Sequence, residues 1–497
     1  MSSLKLEFKT ESMEYLRPLL RETRGAEETA ESIIPDACPD VRDILHTGGM
    51  AFLRGKDLGE GTAAVSAGVS AMVLVQPEGR QTPEVIEAYL PMTVRFESAE
   101  LRPGLESCAQ VVLRRLDSHM VNPRKVLVRA AVTVTLRVWE RCAEAHPVDS
   151  PQEGIQILRR TEPVKLLTAL GEKSYTIEDT VRLDAGDPGT CLADLQIALE
   201  HTDTRLTGTR AVLKGNVHIK TLSLTEQGAL SRGQAVLPFS QYIDLGDCRE
   251  TDELSLDSVL SGADIELSAD GQGLNVTLQL LSRAEVWSQR EVAYIGDLYA
   301  LFGEAEPEWT SSAYESLLDR QCFQPVGRGT MTGGGDQAVY LTCLPGEPSH
   351  TRTGDTAEFT VPVSVQMVTE KEGKPAGGTV RVNLTCATHA SAGCRFEVQA
   401  EDLTATASPG MDGMEVRVTG TICVRTYGST ELREITGGTV NEETRDPSRP
   451  GLIIRRPGRQ ESLWDIARQY RTTTAAIQQA NGLSGEPSGE MLLLIPR

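Results

Sequence analysis

The sequence predicts a mainly β protein: three repeated antiparallel units of sandwich-like or barrel-like form, followed by a small α+β module of βααβ order. Three observations carry this. Long stretches alternate apolar and polar residues with period two, which lines one face of a strand. A short apolar-Pro-apolar-hydroxyl phrase occurs three times, as Leu90-Pro91-Met92-Thr93, Val236-Leu237-Pro238-Phe239-Ser240 and Val361-Pro362-Val363-Ser364. The period changes to that of a helix only near the C-terminus.

In chain order, residues 1–32 read as an N-terminal segment, with a short helix over 12–24 that Pro18 restricts. Ile33-Ile34-Pro35-Asp36-Ala37-Cys38-Pro39-Asp40 then fixes an extended turn, and Asp40 is placed to cap a short helix over Val41, Ile44 and Leu45. The first β unit spans 33–145. Val65, Ala67, Val69, Ala71, Val73 and Val75 share one strand face, and Glu78-Gly79 turns the chain into a strand around Val85 to Phe96. From Val126 to Val138 the alternation is unbroken, and after the turn signal Asn122-Pro123 this strand pairs with Ser107 to Leu116 as a hairpin.

The second unit (155–300) repeats the order: Ala211 to Thr221, the turn Gln227-Gly228, then Leu274, Val276, Leu278 and Leu280 after Asp270-Gly271. The third (325–435) runs from Tyr340 through Leu344-Pro345-Gly346 and closes on Met414, Val416, Val418, Ile422 and Val424 after Asp412-Gly413. Such repetition is read before anything else. A proline inside a strand is tolerated at an edge, so each phrase is expected at the rim of its sheet. Residues 436–450 form a polar linker; about ten flexible residues would let the last module search roughly 15–20 Å.

That module (451–497) starts a helix at Ser462-Leu463-Trp464-Asp465, where Ser and Asp have capping-box spacing. Leu463, Ile466, Ala467 and Tyr470 form the apolar stripe. Thr472 to Thr474 offer a second cap for 475–481, and Gly482 is placed to end that helix in the αL region, with Leu483 beyond it. Leu452-Ile453-Ile454 and Met491 to Ile495 are the bracketing strands. This order, with the Ser-Leu-Trp-Asp-Ile-Ala run, Tyr470, Ala480-Asn481-Gly482 and the Leu-Leu-Ile-Pro ending, resembles a LysM domain over about 45 residues, a family that binds N-acetylglucosamine glycans in a groove between the first turn and the loop before the last strand. Here Gln460-Glu461 stands where the family has Gly-Asp, which removes the glycine that lets backbone approach a sugar.

The three units, the Ile-Pro-Asp-x-x-Pro-Asp-Val opener at 34–41 and the terminal module together resemble the SPOCS-domain, SipL-like proteins of spore-forming bacteria. Leu183-Asp184-Ala185-Gly186-Asp187-Pro188 is a degenerate second opener. The resemblance implies a sporulation adaptor in the mother-cell cytoplasm, at the forespore surface and spore coat. It would bind the morphogenetic ATPase SpoIVA through the LysM domain, with other coat proteins as further partners. The alternative it leaves open is a peptidoglycan-binding protein of the wall or cortex. Gln460, Glu461, Ser462, Trp464, Arg468, Asn481 and Ser484 are the expected partner-binding residues, with Trp464 as anchor.

A formal charge of −21 and a pI near 4.9 disfavour nucleic acid and anionic membrane surfaces, since neutralising phosphate needs clustered Lys and Arg. No window has the apolar length of a membrane span, and the start lacks a secretory apolar core. Ten scattered cysteines without a C-x-x-C pair read as reduced, buried thiols. The seven histidines lack metal spacing and read as surface or rim residues. Gly171-Glu172-Lys173-Ser174 lacks the first glycine of a P-loop and reads as a turn, Gly333-Gly334-Gly335 as a loop, and the sequons at Asn275 and Asn383 as strand residues. No catalytic residue, cofactor or metal is expected.

Overall fold

The computed structural model describes the chain except residues 1, 2, 35, 37, 247, 333, 334, 336, 372, 373, 412, 442–450, 459, 460, 488–490 and 497. After β1 (Ser3–Lys5), the first unit consists of β2 (Lys9–Ile33), β3 (Val41–Leu58), β4 (Thr62–Pro77), β5 (Glu84–Glu97), β6 (Glu106–Asn122) and β7 (Lys125–Asp149). The meander β3-β4-β5 forms one sheet, and β2-β7-β6 the other. The alternating residues from Val126 to Val138 on β7 and from Val65 to Val75 on β4 meet between the sheets in one core. Each fully buried Val or Leu of such a core contributes about 1.5–3 kcal/mol.

The second unit repeats this plan. Its strands are β8 (Ile155–Arg182), the two-residue β9 (Asp184–Ala185), β10 (Cys191–Thr207), β11 (Arg210–Leu224), β12 (Leu230–Asp244), β13 (Glu253–Leu267) and β14 (Gly273–Ala300), in sheets β10-β11-β12-β9 and β13-β14-β8. In the third unit the opening strand is split into β15 (Glu304–Phe323) and β16 (Val326–Met331), both on β22 (Gly413–Asn441). The second strand is split into β17 (Gln337–Pro345) and β18 (Ser349–Thr353), both on β19 (Thr356–Lys371), which also pairs β20 (Lys374–His389), while β21 (Arg395–Gly410) pairs β22. The C-terminal module has β23 (Leu452–Arg455), α1 (Leu463–Tyr470), α2 (Thr474–Asn481) and β24 (Leu493–Pro496).

Several expectations are corrected. Residues 12–24 are not helical: Lys9–Ile33 is an antiparallel partner of β7 along its whole length, which overrides the local pattern. The helix expected after Asp40 is the start of β3, and Asp40 is held at 3.1 Å by Arg124. That arginine also binds the carbonyls of Ile34 and Cys38 and the carboxylate of Asp36, so it clamps the described part of the opener. Pairing places 9–33 with the first unit and 304–323 with the third, and 436–441 is strand in β22; the rest of the expected linker lies outside the described residues. Residues 171–174 lie inside β8 and are not a turn, whereas Gly333 and Gly334 lie outside the described residues.

Pro91 lies on the edge strand β5, and Pro238 on the stretch of β12 that the two-residue β9, paired only at Gly233 and Gln234, leaves as a free edge. Pro362 lies on the central strand β19, one strand earlier in its unit than the other two, so the third phrase is out of step. Its carbonyl accepts from Gly346 N at 2.7 Å. Because N and O of one strand residue face the same side, its nitrogen faces the break between β17 and β18, where the ladder needs no donor.

The units pack around a pseudo-threefold axis, with equivalent residues meeting on it. Each second strand carries a bulge at the same place, so that His46, Asp194 and Tyr340 converge. His46 Nε2 lies 2.8 Å from Asp194 Oδ2 and its ring stands edge-on to Tyr340. Gly48 is required beside them, since a Cβ there would run into the Asp194 carboxylate. Farther along the axis the closing strands bring together Trp139, Trp287 and Tyr427, and two residues earlier Arg137, Glu285 and Arg425. Arg137 and Arg425 reach Glu285 at 2.8 and 3.4 Å, all three buried. Burial alone would raise the Glu285 carboxyl, but the Arg137, Arg425 and Arg283 guanidiniums outweigh it and hold it below its ordinary value. A third layer holds His146, bonded to Glu434 at 2.9 Å and to the Tyr314 hydroxyl at 2.9 Å. His46 and His146 are thus core residues, not surface ones. Cys322 and Cys423 face each other across β15 and β22 and form a disulfide, which corrects the expectation of ten thiols.

Two predictions follow from the axial charges. Glu285→Leu leaves Arg137 and Arg425 only the more distant Glu397, at 3.6 and 3.8 Å, and should cost about 3–5 kcal/mol by denaturant unfolding; a loss below about 1 kcal/mol would show the layer to be energetically idle. The carboxyl of Glu397, beside Arg137, Arg21 and Arg425, is pushed up by burial but pulled down further by these cations, to about 2. A lowered folded value gives stability that is full above the ordinary 4.5 and is lost as pH falls toward 2. Acid titration should therefore show an unfolding limb in that window, weakened in Glu397→Gln.

Candidate functional site

The C-terminal module folds as its local signals dictate. Ser462 caps α1 by accepting from Asp465 N, and the Asp465 carboxylate returns a bond to Ser462 N, completing the capping box. Arg471, in the αL region, ends α1. Thr473 caps α2, which Gly482 closes at φ 60°. Leu463, Ile466 and Ala467 of α1, Ile477 of α2, and Leu493 and Ile495 of β24 form its core. Tyr299 belongs to the same cluster although it comes from β14 of the second unit.

The expected site residues separate into distinct roles. Gln460 lies outside the described residues. The Glu461 carboxylate is paired with Arg455 and accepts from Gly458 N at 3.0 Å, which ties down the turn before α1. Ser462 is the cap. Asn481 ties α2 to β24: its amide donates to the carbonyls of Leu494 on β24 (2.6 Å) and of Ile477 in its own helix (2.8 Å), and its oxygen accepts from Leu494 N (2.7 Å). Ser484 is exposed.

Trp464 and Arg468 lie one turn apart on α1, and both reach the same acceptor. Trp464 Nε1 donates to Asp297 Oδ2 at 2.8 Å, and Arg468 donates to it at 2.7 Å. The indole stands edge-on to Tyr299 with ring centroids 4.8 Å apart, and the Tyr299 hydroxyl donates to the Thr472 carbonyl at 2.7 Å. The first helix is therefore docked on β14. Burial raises the Tyr299 hydroxyl above its ordinary value, which keeps it a donor.

Two further features escaped the sequence reading. Glu486 accepts from Leu463 N at 2.7 Å, so a carboxylate from the loop before β24 reaches across to the start of α1, between the two walls where the family groove runs. The outer face of the two-stranded sheet carries Leu452, Ile454 and Leu494, at 55, 61 and 36% exposure, and Leu492, 62% exposed, immediately precedes β24. Period two in β23 and β24 contains that face, but the apolar runs hide which side is covered. Asp297 and Tyr299 had no local signal at all, since they are 167 and 173 residues from their partners.

A family model for the LysM domain matches residues 459–486, the segment that carries the capping box, both helices and Glu486. This segment is a LysM domain. No curated protein and no solved structure matches the chain. LysM domains bind glycan or mediate protein contact, and in this chain the LysM core is joined to the second β unit through Tyr299, Trp464 and Asp297. No helix among the described residues is long and apolar enough to cross a membrane.

Docking through one carboxylate makes a clear prediction. Asp297→Ala should remove both bonds to α1, red-shift Trp464 emission and speed amide exchange in α1. The cost should be about 1–3 kcal/mol, confined to the LysM unfolding step. Unchanged emission and exchange would mean that the Tyr299 contact alone holds the domain.

Proposed function

We propose that the chain is a non-enzymatic adaptor of endospore formation. The three β units form a rigid body, and the LysM domain docks on a protein partner, the coat morphogenetic ATPase SpoIVA, at the forespore surface in the mother-cell cytoplasm. In this reading the protein helps coat assemble and needs no cofactor. The observation that carries protein contact over glycan contact is the exposed apolar sheet face of Leu452, Ile454 and Leu494, with Leu492 exposed beside it. Three aliphatic side chains on one face, with Leu492 exposed just before β24, offer a sugar few polar partners, whereas they suit the apolar centre of a protein interface. The Glu486 carboxylate bonded to Leu463 N across the groove supports the same choice. The sporulation setting rests on the resemblance of the opener, the repeats and the terminal module to SipL-like proteins.

Within this proposal the partner meets the LysM domain from its sheet side, with Glu461 and Ser484 as rim candidates, while Trp464 and Arg468 act from behind by holding α1 on β14. Ile454→Arg combined with Leu494→Asp in the full chain should abolish capture of purified SpoIVA and leave the melting temperature within a few degrees, because exposed positions away from caps and core change stability little. Undiminished capture by the folded double variant would refute the surface. Co-sedimentation with purified peptidoglycan should leave the chain in the supernatant; saturable pelleting that survives the double variant would favour the wall-binding reading.

A further inference from the structure

Three seams join the β units, and they share one plan: an irregularity in the second strand of one unit faces the bulge in the hairpin strand of the next. Between the first and second units, Arg54 in a bulge of β3 donates to the carbonyl of Ser261, in the bulge of β13, at 3.0 Å. Between the third and first, Arg114 in the bulge of β6 donates to the carbonyl of Gly346, in the break between β17 and β18, at 2.8 Å. A guanidinium on backbone acceptors closes both seams, and β3 runs beside β13 as β6 does beside β17.

The seam between the second and third units has the same irregularities and no arginine. Its bulges hold Thr202 on β10 and Asp402 with Leu403 on β21. Thr202 donates to the Lys214 carbonyl of its own sheet at 3.3 Å. Among the described residues, neither the Asp402 nor the Glu401 carboxylate has a hydrogen bond or ion pair; Arg320 and Arg425 on Glu401, and His201 and His218 on Asp402, act only from beyond contact. Desolvation, then Asp257 and Asp402, raise the Glu401 carboxyl above its ordinary value, and desolvation, then Glu200, raise that of Asp402. Negative charge is therefore crowded where the other seams place a cation. β10 and β21 scarcely approach each other, and the space they leave opens on an axial cavity of about 1380 Å³. Apart from Thr23, the exposed residues of its lining come from the second and third units, with Ala198 and Glu200 on one lip and Glu401, Asp402 and Thr404 on the other.

We infer that this open seam is a docking surface for a basic peptide segment of a protein partner, whose arginine or lysine takes the place that Arg54 and Arg114 hold in the other two seams. Charge complementarity selects the cation: Glu401 and Asp402 are available as acceptors, and Lys220 and Arg417, which line the same cavity, pair with neither. The lining behind the mouth selects a peptide. Val111, Leu199, Val259 and Val398 bring half-buried aliphatic surface from all three units, which a small polycation would leave wet and apolar side chains of a peptide would cover. The space also exceeds ordinary small-molecule sites of about 300–1,000 Å³. This surface lies on the β body, apart from the LysM sheet face, so each can be tested with the other intact.

The test is fluorescence anisotropy of the full chain with a labelled peptide of about ten residues in which Arg alternates with Val, long enough in extended form to span the mouth. Saturable binding is expected, with none for the counterpart carrying Glu in place of Arg. Thr202→Arg restores a guanidinium at the position of Arg54; it is an exposed site, so the variant should stay folded and bind about tenfold or more weakly. Glu401→Gln with Asp402→Asn removes the charge at constant shape, and Asn tolerates the left-handed backbone at 402 (φ 52°). It should weaken binding as much, and it decides the matter if Thr202→Arg does not fold. Glu304→Gln with Glu306→Gln, which removes two exposed charges from β15 away from the mouth, should leave the affinity unchanged. Absence of saturable binding, full affinity in either folded seam variant, or an equal loss in the β15 variant would overturn the surface. Competition by spermidine or free arginine at the peptide's own affinity would also overturn it, as the mark of a site for small cations.

Discussion

Everything in the β body depends on each unit's first strand pairing with its last. β2 with β7, β8 with β14, and β15 with β22 are long antiparallel ladders between segments separated by an entire meander and a hairpin. Such a ladder closes a large loop before any bond is made, so it is slow to form and gains its stability from what the ribbon then buries. Near the Trp139 and Trp287 level one end of each ribbon covers its own core, and beyond it the three ribbons pack on one another, with Tyr15, Leu166, Tyr314 and Leu432 in a shared cluster. The ribbons thus serve two purposes, closing each sandwich and joining the three.

The joining is asymmetric where an apolar axis would have sufficed. Equivalent bulges bring equivalent positions together, and bulges re-aim side chains at such sites. Yet the residues presented are His46, Asp194 and Tyr340 at one level and Arg137, Glu285 and Arg425 at the next. Identical residues could not satisfy one another there: three arginines would repel, and three carboxylates would share a proton. Divergence between repeats is therefore what permits polar groups on the axis at all.

How much of this was legible follows from range. Periodicity exposed β4 and β7 because the faces they bury are continuous, and turn chemistry placed Gly79, Gly228 and Gly271, each of which has positive φ. The capping box at Ser462 and the αL glycine at 482 are local, and both read directly. What failed is non-local. Residues 12–24 carry no strand alternation strong enough to outweigh a helical reading until β7 is laid beside them, and Cys322 and Cys423 are 101 residues apart. The Pro362 phrase matched its counterparts in letters but sits on a different strand, because the same chemistry, a nitrogen facing no donor site, is met by a broken neighbour as well as by an edge. In the LysM domain, Trp464 could be placed on the flank of α1, but nothing near it could reveal Asp297.

That last contact changes how the LysM domain works with the body. A flexible tether of about ten residues would raise the local concentration of a second binding site without fixing its direction. Asp297 and Tyr299 fix it: one carboxylate holds two donors a turn apart on α1, and one hydroxyl holds the carbonyl just beyond the helix. With α1 turned toward the body, the sheet of β23 and β24 presents Leu452, Ile454 and Leu494 outward. A partner meeting that face contacts a surface already oriented, so less rotational freedom is lost on binding than with a swinging domain. The same docking covers the Trp464 and Arg468 side of α1 against β14 and leaves the aliphatic face of the small sheet exposed.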